Sequence, residues 1–265
     1  MKKNVFKICI SILVILIIVF TVEKIYIKKE MSDEKAIYHR KFKENVVFYP
    51  QHQDDEVLWG ASAIINAIAQ CGFENVYIVL VSDGSGVNVF KNKEYKNLTR
   101  KEKEELRNNE FKDALKKLGV KKDNIIILAD IDSHEGTHFE LMEDIILKFE
   151  KELRSVTHIA HHYEYDNHIM HRKNGKVLKN LTDKNEVKDV MYFVKPKYVK
   201  NIPLNKRVIY EVNNTKDYEK VKSACYEYKI VDTKKEKFGI GYISAHSYFD
   251  ELLNDPKYKS VLSIY

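Results

Sequence analysis

The chain has 265 residues, 44% hydrophobic and 32% charged, with nine glycines and four prolines. That is enough apolar chain to bury a core, and too little glycine and proline for a linker-rich or collagen-like polymer. Much of the net charge of +6 sits at the start, where residues 1–30 hold six lysines against Glu23 and Glu30; the near-neutral body lacks the basic surplus of a nucleic-acid binder.

Lys2, Lys3 and Lys7 precede an apolar run, 8–22, whose only polar side chains are Ser11 and Thr21. Counted from Val5, the run approaches the roughly 20 residues that a spanning helix needs, and no small-x-small cleavage site follows. Residues 1–30 are therefore expected to be an uncleaved signal-anchor crossing the membrane through residues 5–22, with the polar stretch 31–44 as a juxtamembrane linker. Downstream Lys and Arg outnumber those upstream, which by the positive-inside rule alone keeps the body in the cytoplasm. Translocating the three-lysine tail is costly, however, and the expectation is a single-pass protein with an extracytoplasmic domain over 45–265. Cys9, Cys71 and Cys225 are too few for a disulfide framework. Cys71 and Cys225 read as two small buried hydrophobes that pair only if the fold brings them together.

In the body, Asn45–Tyr49 reads as a short strand, and Val57, Ala61, Ile64, Ile68 and Cys71 recur at helical spacing before Gly72. Val76–Val81 reads as a buried strand. Thr99-x-x-Glu102 is a capping box for a helix with Phe111, Ala114, Leu115 and Leu118 on one stripe and Gly119 at its end. Ile125–Leu128 is a further strand. Thr137-x-x-Glu140 opens a helix carrying Met142, Ile145, Ile146, Phe149 and Leu153, and Val156–Ala160 is the next strand. This alternation predicts a Rossmann-like α/β domain, a mostly parallel sheet flanked by helices and preceded by the membrane helix. Beyond it, Val190–Val194 and Arg207–Val212 read as strands and 215–230 as a helix.

Ligands in such sheets collect beyond the carboxyl ends of the strands. Two polar clusters fall there: Pro50-Gln51-His52-Gln53-Asp54-Asp55-Glu56, and the stretch 158–171, which holds five of the ten histidines. Imidazole and carboxylate without thiolate suit Zn²⁺ with an open coordination position. A strand-to-helix turn aims His52 and Asp55 at one point, and His171 supplies a third ligand from the neighbouring strand end. Asp54 projects differently and is free to take a proton from a metal-activated water, whose pKa falls to about 7. His168 is placed to steady an oxyanion. A Mg²⁺ phosphohydrolase is disfavoured, because that ion prefers oxygen ligands.

His52-Gln53-Asp54-Asp55-Glu56 resembles the HPDDE motif of the PIG-L/LmbE family of zinc-dependent N-acetylglucosaminyl deacetylases. Asp166-Asn167-His168-Ile169-Met170-His171 is similar to its D-x-H-P-D-H segment, Ser82-Asp83-Gly84 to its T-D-G, and Arg107-x-x-Glu110 with Ala114, Leu118 and Gly119 to its R-x-x-E…A…LG helix. Gln53 stands where the family has proline, and Ile169-Met170 where it has Pro-Asp. The resemblance implies that His52, Asp55 and His171 bind Zn²⁺ (or Fe²⁺), that Asp54 is the base, that His168 polarises the carbonyl, and that Arg107 and Asp83 lie near the sugar. It further implies hydrolysis of the N-acetyl group of an N-acetylglucosamine-type sugar in a glycan or glycoconjugate. The alternative is a catalytically silent, membrane-anchored glycan-binding module of the same fold.

Read without that resemblance, Asp54, Asp55 and Glu56 are ordinary partners for a helix N-terminus, and Arg107 and Glu110 an i,i+3 pair. His158, His161 and His162 read as strand or loop residues, while His134, His138 and His246 have no assigned role.

Overall fold

The computed structural model describes residues 15–22, 24 and 35–265. Residues 15–22 are helical, but among the described residues no helix is long and apolar enough to cross a membrane. The spanning helix expected over 5–22 is therefore corrected; residues 5–14 lie outside the described residues.

The body is built on an eight-stranded sheet. Its strands are Ile37–Tyr38 (β1), Asn45–Phe48 (β2), Val76–Leu80 (β3), Ile125–Ile127 (β4), Val156–His161 (β5), Val190–Phe193 (β6), Arg207–Tyr210 (β7) and Ser260–Ile264, with Val231–Asp232 (β8) and Lys237–Phe238 (β9) forming a separate ribbon. With Ser260–Ile264 as β10, the order is β1-β7-β10-β6-β5-β2-β3-β4. From β6 to β4 every pair is parallel, with Val46 facing both Val76 and Thr157. β10 runs antiparallel to both β6 and β7. The sheet is thus mixed, which corrects the mostly parallel Rossmann-like sheet expected from the alternation of elements. The cause is the last strand: helix Ile240–Asn254 returns the chain beside β6 without a crossover, and an antiparallel partner needs none.

The helices form where the local chemistry directs them. Thr99 makes the expected capping box, accepting from the Glu102 N–H while Glu102 reaches back, and helix Arg100–Leu118 ends at left-handed Gly119. Its Phe111, Ala114, Leu115 and Leu118 are fully buried with Val46, Phe48, Ile78 and Leu80; each large side chain contributes about 1.5–3 kcal/mol. The other sheet face, Val47, Tyr49, Val79 and Val81, packs on helices Phe139–Glu152 and Ile169–Asp183 through Met142, Ile146, Leu178 and Leu181. The second predicted capping box does not form. Phe139–Glu152 starts after His138, and Thr137 instead bridges to Ser82. Cys71 and Cys225 are both free.

This topology fixes the site. β2 leads to β3 and β4 on one side, while β5 lies on its other side and leads to β6. The carboxyl ends of β2 and β5 therefore flank the point where strand order reverses. Helix Ile169–Asp183 approaches β5 closely through Gly175, where an added Cβ would stand 2.1 Å from the His161 carbonyl oxygen.

Candidate active site

The turn after β2 is rigidly tied. The His52 N–H donates to Asp55 Oδ2 at 2.8 Å, while Trp59 Nε1 donates to Asp55 Oδ1 at 2.8 Å. One oxygen of Asp55 is thus held by an indole and the other turns toward the histidines. Gln53, buried where a proline was expected from the family pattern, bridges the Asp83 carbonyl (3.1 Å) and Asn108 Oδ1 (2.8 Å). Gly84, at φ +70°, has no room for a Cβ, which would meet Gln53 Oε1 at 2.1 Å. Asp54 itself has φ 106°, outside the usual range for a residue with a side chain. This backbone turn separates Asp54 from Asp55.

From β5 the chain brings His161, Asp166, His168 and His171. His171 Nδ1 lies 3.0 Å from Asp166 Oδ2, so its N–H donates there and Nε2 turns inward. Asp166 is fixed in turn by the His168 N–H at 2.7 Å and by Lys195 at 3.0 Å. His171 Nε2 stands 3.3 Å from Asp55 Oδ2 and 3.1 Å from His52 Nδ1, and His52 Nδ1 stands 3.4 Å from Asp55 Oδ2. The three residues separated in sequence therefore converge. His168 lies beside them, its ring 4.9 Å from that of His52 and 4.7 Å from that of His171.

His161 joins the same cluster as a strand residue, its Nε2 3.2 Å from Asp55 Oδ2. The Gln51 N–H already donates to that nitrogen at 3.1 Å. Two overlapping triads, His52 with His168 and His171, and Asp55 with His161 and His171, bring ligand atoms within 4.8 Å of one another, and His52, Asp55 and His171 are drawn from both. Ligand atoms about 2.0–2.1 Å from a tetrahedral ion lie about 3.3 Å from one another, and these three satisfy that spacing. The donor set, two imidazoles and a carboxylate, fits a divalent transition metal.

Asp54 sits in a separate electrostatic environment. Burial pushes its carboxyl up to about 6, against the Arg107 guanidinium, which donates to Asp54 Oδ2 at 3.1 Å. Arg107 is 2% exposed and also donates to the Gln53 carbonyl. Glu110 lies 3.8 Å from it and accepts the N–H groups of Ile240 and Gly241. Burial likewise pushes Glu56 up to about 8, although the Tyr228 hydroxyl donates to it at 2.5 Å. Asp55 is the opposite case: burial alone would raise its carboxyl, but His171 and His161 hold it well below the usual range.

His52, Asp54, Asp55, His168 and His171 all line one cavity of about 620 Å³, together with Arg107, Asp83 and Lys195. Asp83 reaches it mainly as a strut, its carboxylate accepting from Arg100, Ser85 and Gly136. Sequence reasoning assigned no role to Asp166, Lys195, Glu56 or Tyr228. Asp166, five residues before His171 in the quoted motif, was accessible as its orienting partner. Tyr228 and Lys195 carry no local signal.

The sequence profile of one family, PIG-L, described as GlcNAc-PI de-N-acetylase, matches residues 46–182. The chain belongs to the PIG-L family. That match runs from β2 into helix Ile169–Asp183 and so includes every residue of the histidine and aspartate cluster. PIG-L proteins depend on a metal, and the clustered His and Asp side chains here are able to hold one. No curated protein matches this PIG-L chain by sequence. Among solved structures, the N,N'-diacetylchitobiose deacetylase from Pyrococcus horikoshii is 18% identical with a TM-score of 0.53, over 84% of this chain and 84% of that one. A triple mutant of a deacetylase of the teicoplanin biosynthetic pathway is 14% identical with a TM-score of 0.54, over 83% of this chain and 97% of that one. At these identities the likeness is one of fold.

Proposed function

We propose that this PIG-L chain is a metal-dependent hydrolase that removes the acetyl group from an N-acetylglucosamine-type amino sugar in a glycan or glycoconjugate. The observation that carries this reading is the convergence of His52, Asp55 and His171 beside an Asp54 held separately by Arg107. The family description and the diacetylated sugar named for the Pyrococcus fold neighbour support the substrate class.

His52, Asp55 and His171 would hold the cation, with Zn²⁺ or Fe²⁺ suited to them. A divalent cation there supplies Lewis acidity, polarising a carbonyl and making water more acidic. Asp166 keeps the His171 ring in the tautomer that presents Nε2. Asp54 takes a proton from the attacking water and passes it to the nitrogen as the carbonyl carbon–nitrogen bond breaks, so that water and amide become acetate and amine. A carboxyl raised toward neutrality by burial is a stronger base than an exposed one, which suits it to that exchange. Arg107 fixes its direction, and His168 faces the carbonyl oxygen as charge develops there.

Acetate release from N-acetylated chitooligosaccharides and GlcNAc conjugates tests the reading. The expected result is turnover that a chelator abolishes and a divalent metal restores. Asp54→Asn should keep the metal and lose turnover by about 10²–10⁴-fold. Sugar binding without acetate release under any metal load would sink the hydrolase in favour of a silent binding module.

A further inference from the structure

Asp132, His134 and His138 have no part in this chemistry, yet they meet in the turn between helices Leu128–Ile131 and Phe139–Glu152. Each offers a ligand atom, and these atoms all lie within 4.8 Å of one another. Asp132 Oδ2 is 2.6 Å from His134 Nδ1 and 3.8 Å from His138 Nδ1, and the two imidazole centroids are 4.1 Å apart.

His138 is the decisive member. It is 1% exposed, and neither of its ring nitrogens has a hydrogen-bond partner. Native interiors seldom leave buried polar atoms in that condition. Its backbone also prevents escape: the His138 N–H donates to the Val81 carbonyl at 3.0 Å, and Thr137 bridges to Ser82. The ring is thus anchored beside the end of β3 with unused lone-pair capacity next to a carboxylate. Asp132 and His134 have side chains 47% and 53% exposed, so the cluster is open to solution on that side.

We propose that Asp132, His134 and His138 form a second divalent-metal site, distinct from the His52, Asp55 and His171 cluster. Two imidazole nitrogens and one carboxylate oxygen, without thiolate, select a cation of the Zn²⁺ class and leave a position for water. Arg100 is a cation beside this turn, donating to the carbonyls of Ser133 and His134, but Asp83 engages it at 2.8 Å and offsets its charge.

The site has a structural consequence. Its ligands bracket Glu135, Gly136 and Thr137, which line the cavity of the candidate active site. A cation tying Asp132 to His138 therefore fixes one wall of that cavity, without contributing a ligand to the first cluster.

The test uses the full chain, stripped with chelator and reloaded with Zn²⁺ alone. Elemental analysis is expected to find two equivalents per chain, and one after either Asp132→Asn or His134→Ala. Both residues are half exposed, so these variants should fold. In a His52→Ala/His171→Ala background, Zn²⁺ should still raise Tm, and adding His134→Ala should remove the shift. Equal stoichiometry in wild type and His134→Ala, or a Tm shift that survives His134→Ala in that background, overturns the proposal.

Discussion

The two halves of the sheet serve one pocket in different ways. The parallel half, β2 to β5 with the helix after β5, contributes His52, Asp54, Asp55, His168 and His171. The other half, with β6, β7 and β10, contributes none of these, but its connections supply their surroundings. Tyr228 donates to Glu56, the Ile240 and Gly241 N–H groups hold Glu110, and Lys195 steadies Asp166. One half places reacting groups and the other sets their burial and charge. Substitutions in the first should therefore abolish activity, whereas those in the second should change stability and tuning.

The largest effect is expected from His171→Ala. It removes one of the three converging donors and leaves Asp166 with one partner fewer, so metal content in that cluster and acetate release should both fall to background. Retention of metal there at wild-type affinity would show that the convergence is not a ligand set. Arg107→Ala comes next, because Arg107 links the halves through Asp54 and Glu110. Removing one partner of a buried ion pair costs about 3–5 kcal/mol, to be read from chemical denaturation, and turnover should fall as Asp54 loses its support. Tyr228→Phe is milder. It leaves one Glu56 oxygen without its hydroxyl donor, at about 1–3 kcal/mol, and should leave metal content unchanged. Metal loss in this variant would erase the proposed division between the halves.

How much of this was readable beforehand follows the same line. In the parallel half, strand–helix alternation located β2, β3, β4 and β5 within a residue or two, and the strand ends marked where ligands gather. His52, Asp55 and His171 could be singled out because they fall in two motifs that resemble those of the PIG-L/LmbE family, at strand ends that were predictable. The reversal at β10 was not legible: Ser260–Ile264 is a short run whose antiparallel direction depends on the space between β6 and β7. Nor was the burial of Glu56, since its partner Tyr228 lies 172 positions away. Arg107 read equally well as a surface i,i+3 pair and only packing turns it into the support of Asp54. The apolar leader is the opposite lesson. Its composition suggested a spanning helix, while among the described residues no helix is long and apolar enough to cross a membrane.

The smallest expected effect concerns the strut that joins the parallel half to the turn at 132–138. Burial alone would raise the Asp83 carboxyl, but the Gly136 and Ser85 N–H groups and the Arg100 guanidinium outweigh it and hold the carboxyl below its ordinary value. A carboxyl lowered in the folded state stabilises the fold above its unfolded pKa, about 3.9, and loses that contribution as pH falls through the folded value. Wild type should therefore exceed Asp83→Asn in stability at pH 7, by about 1–3 kcal/mol for the charge-assisted contacts. The gap should narrow below about pH 4, when protonation weakens the native pairing with Arg100. Urea midpoints measured from pH 7 down to pH 3 provide the check. A gap independent of pH would mean that Asp83 supports the turn through shape and neutral hydrogen bonds, and that its charge adds nothing to holding the cavity wall.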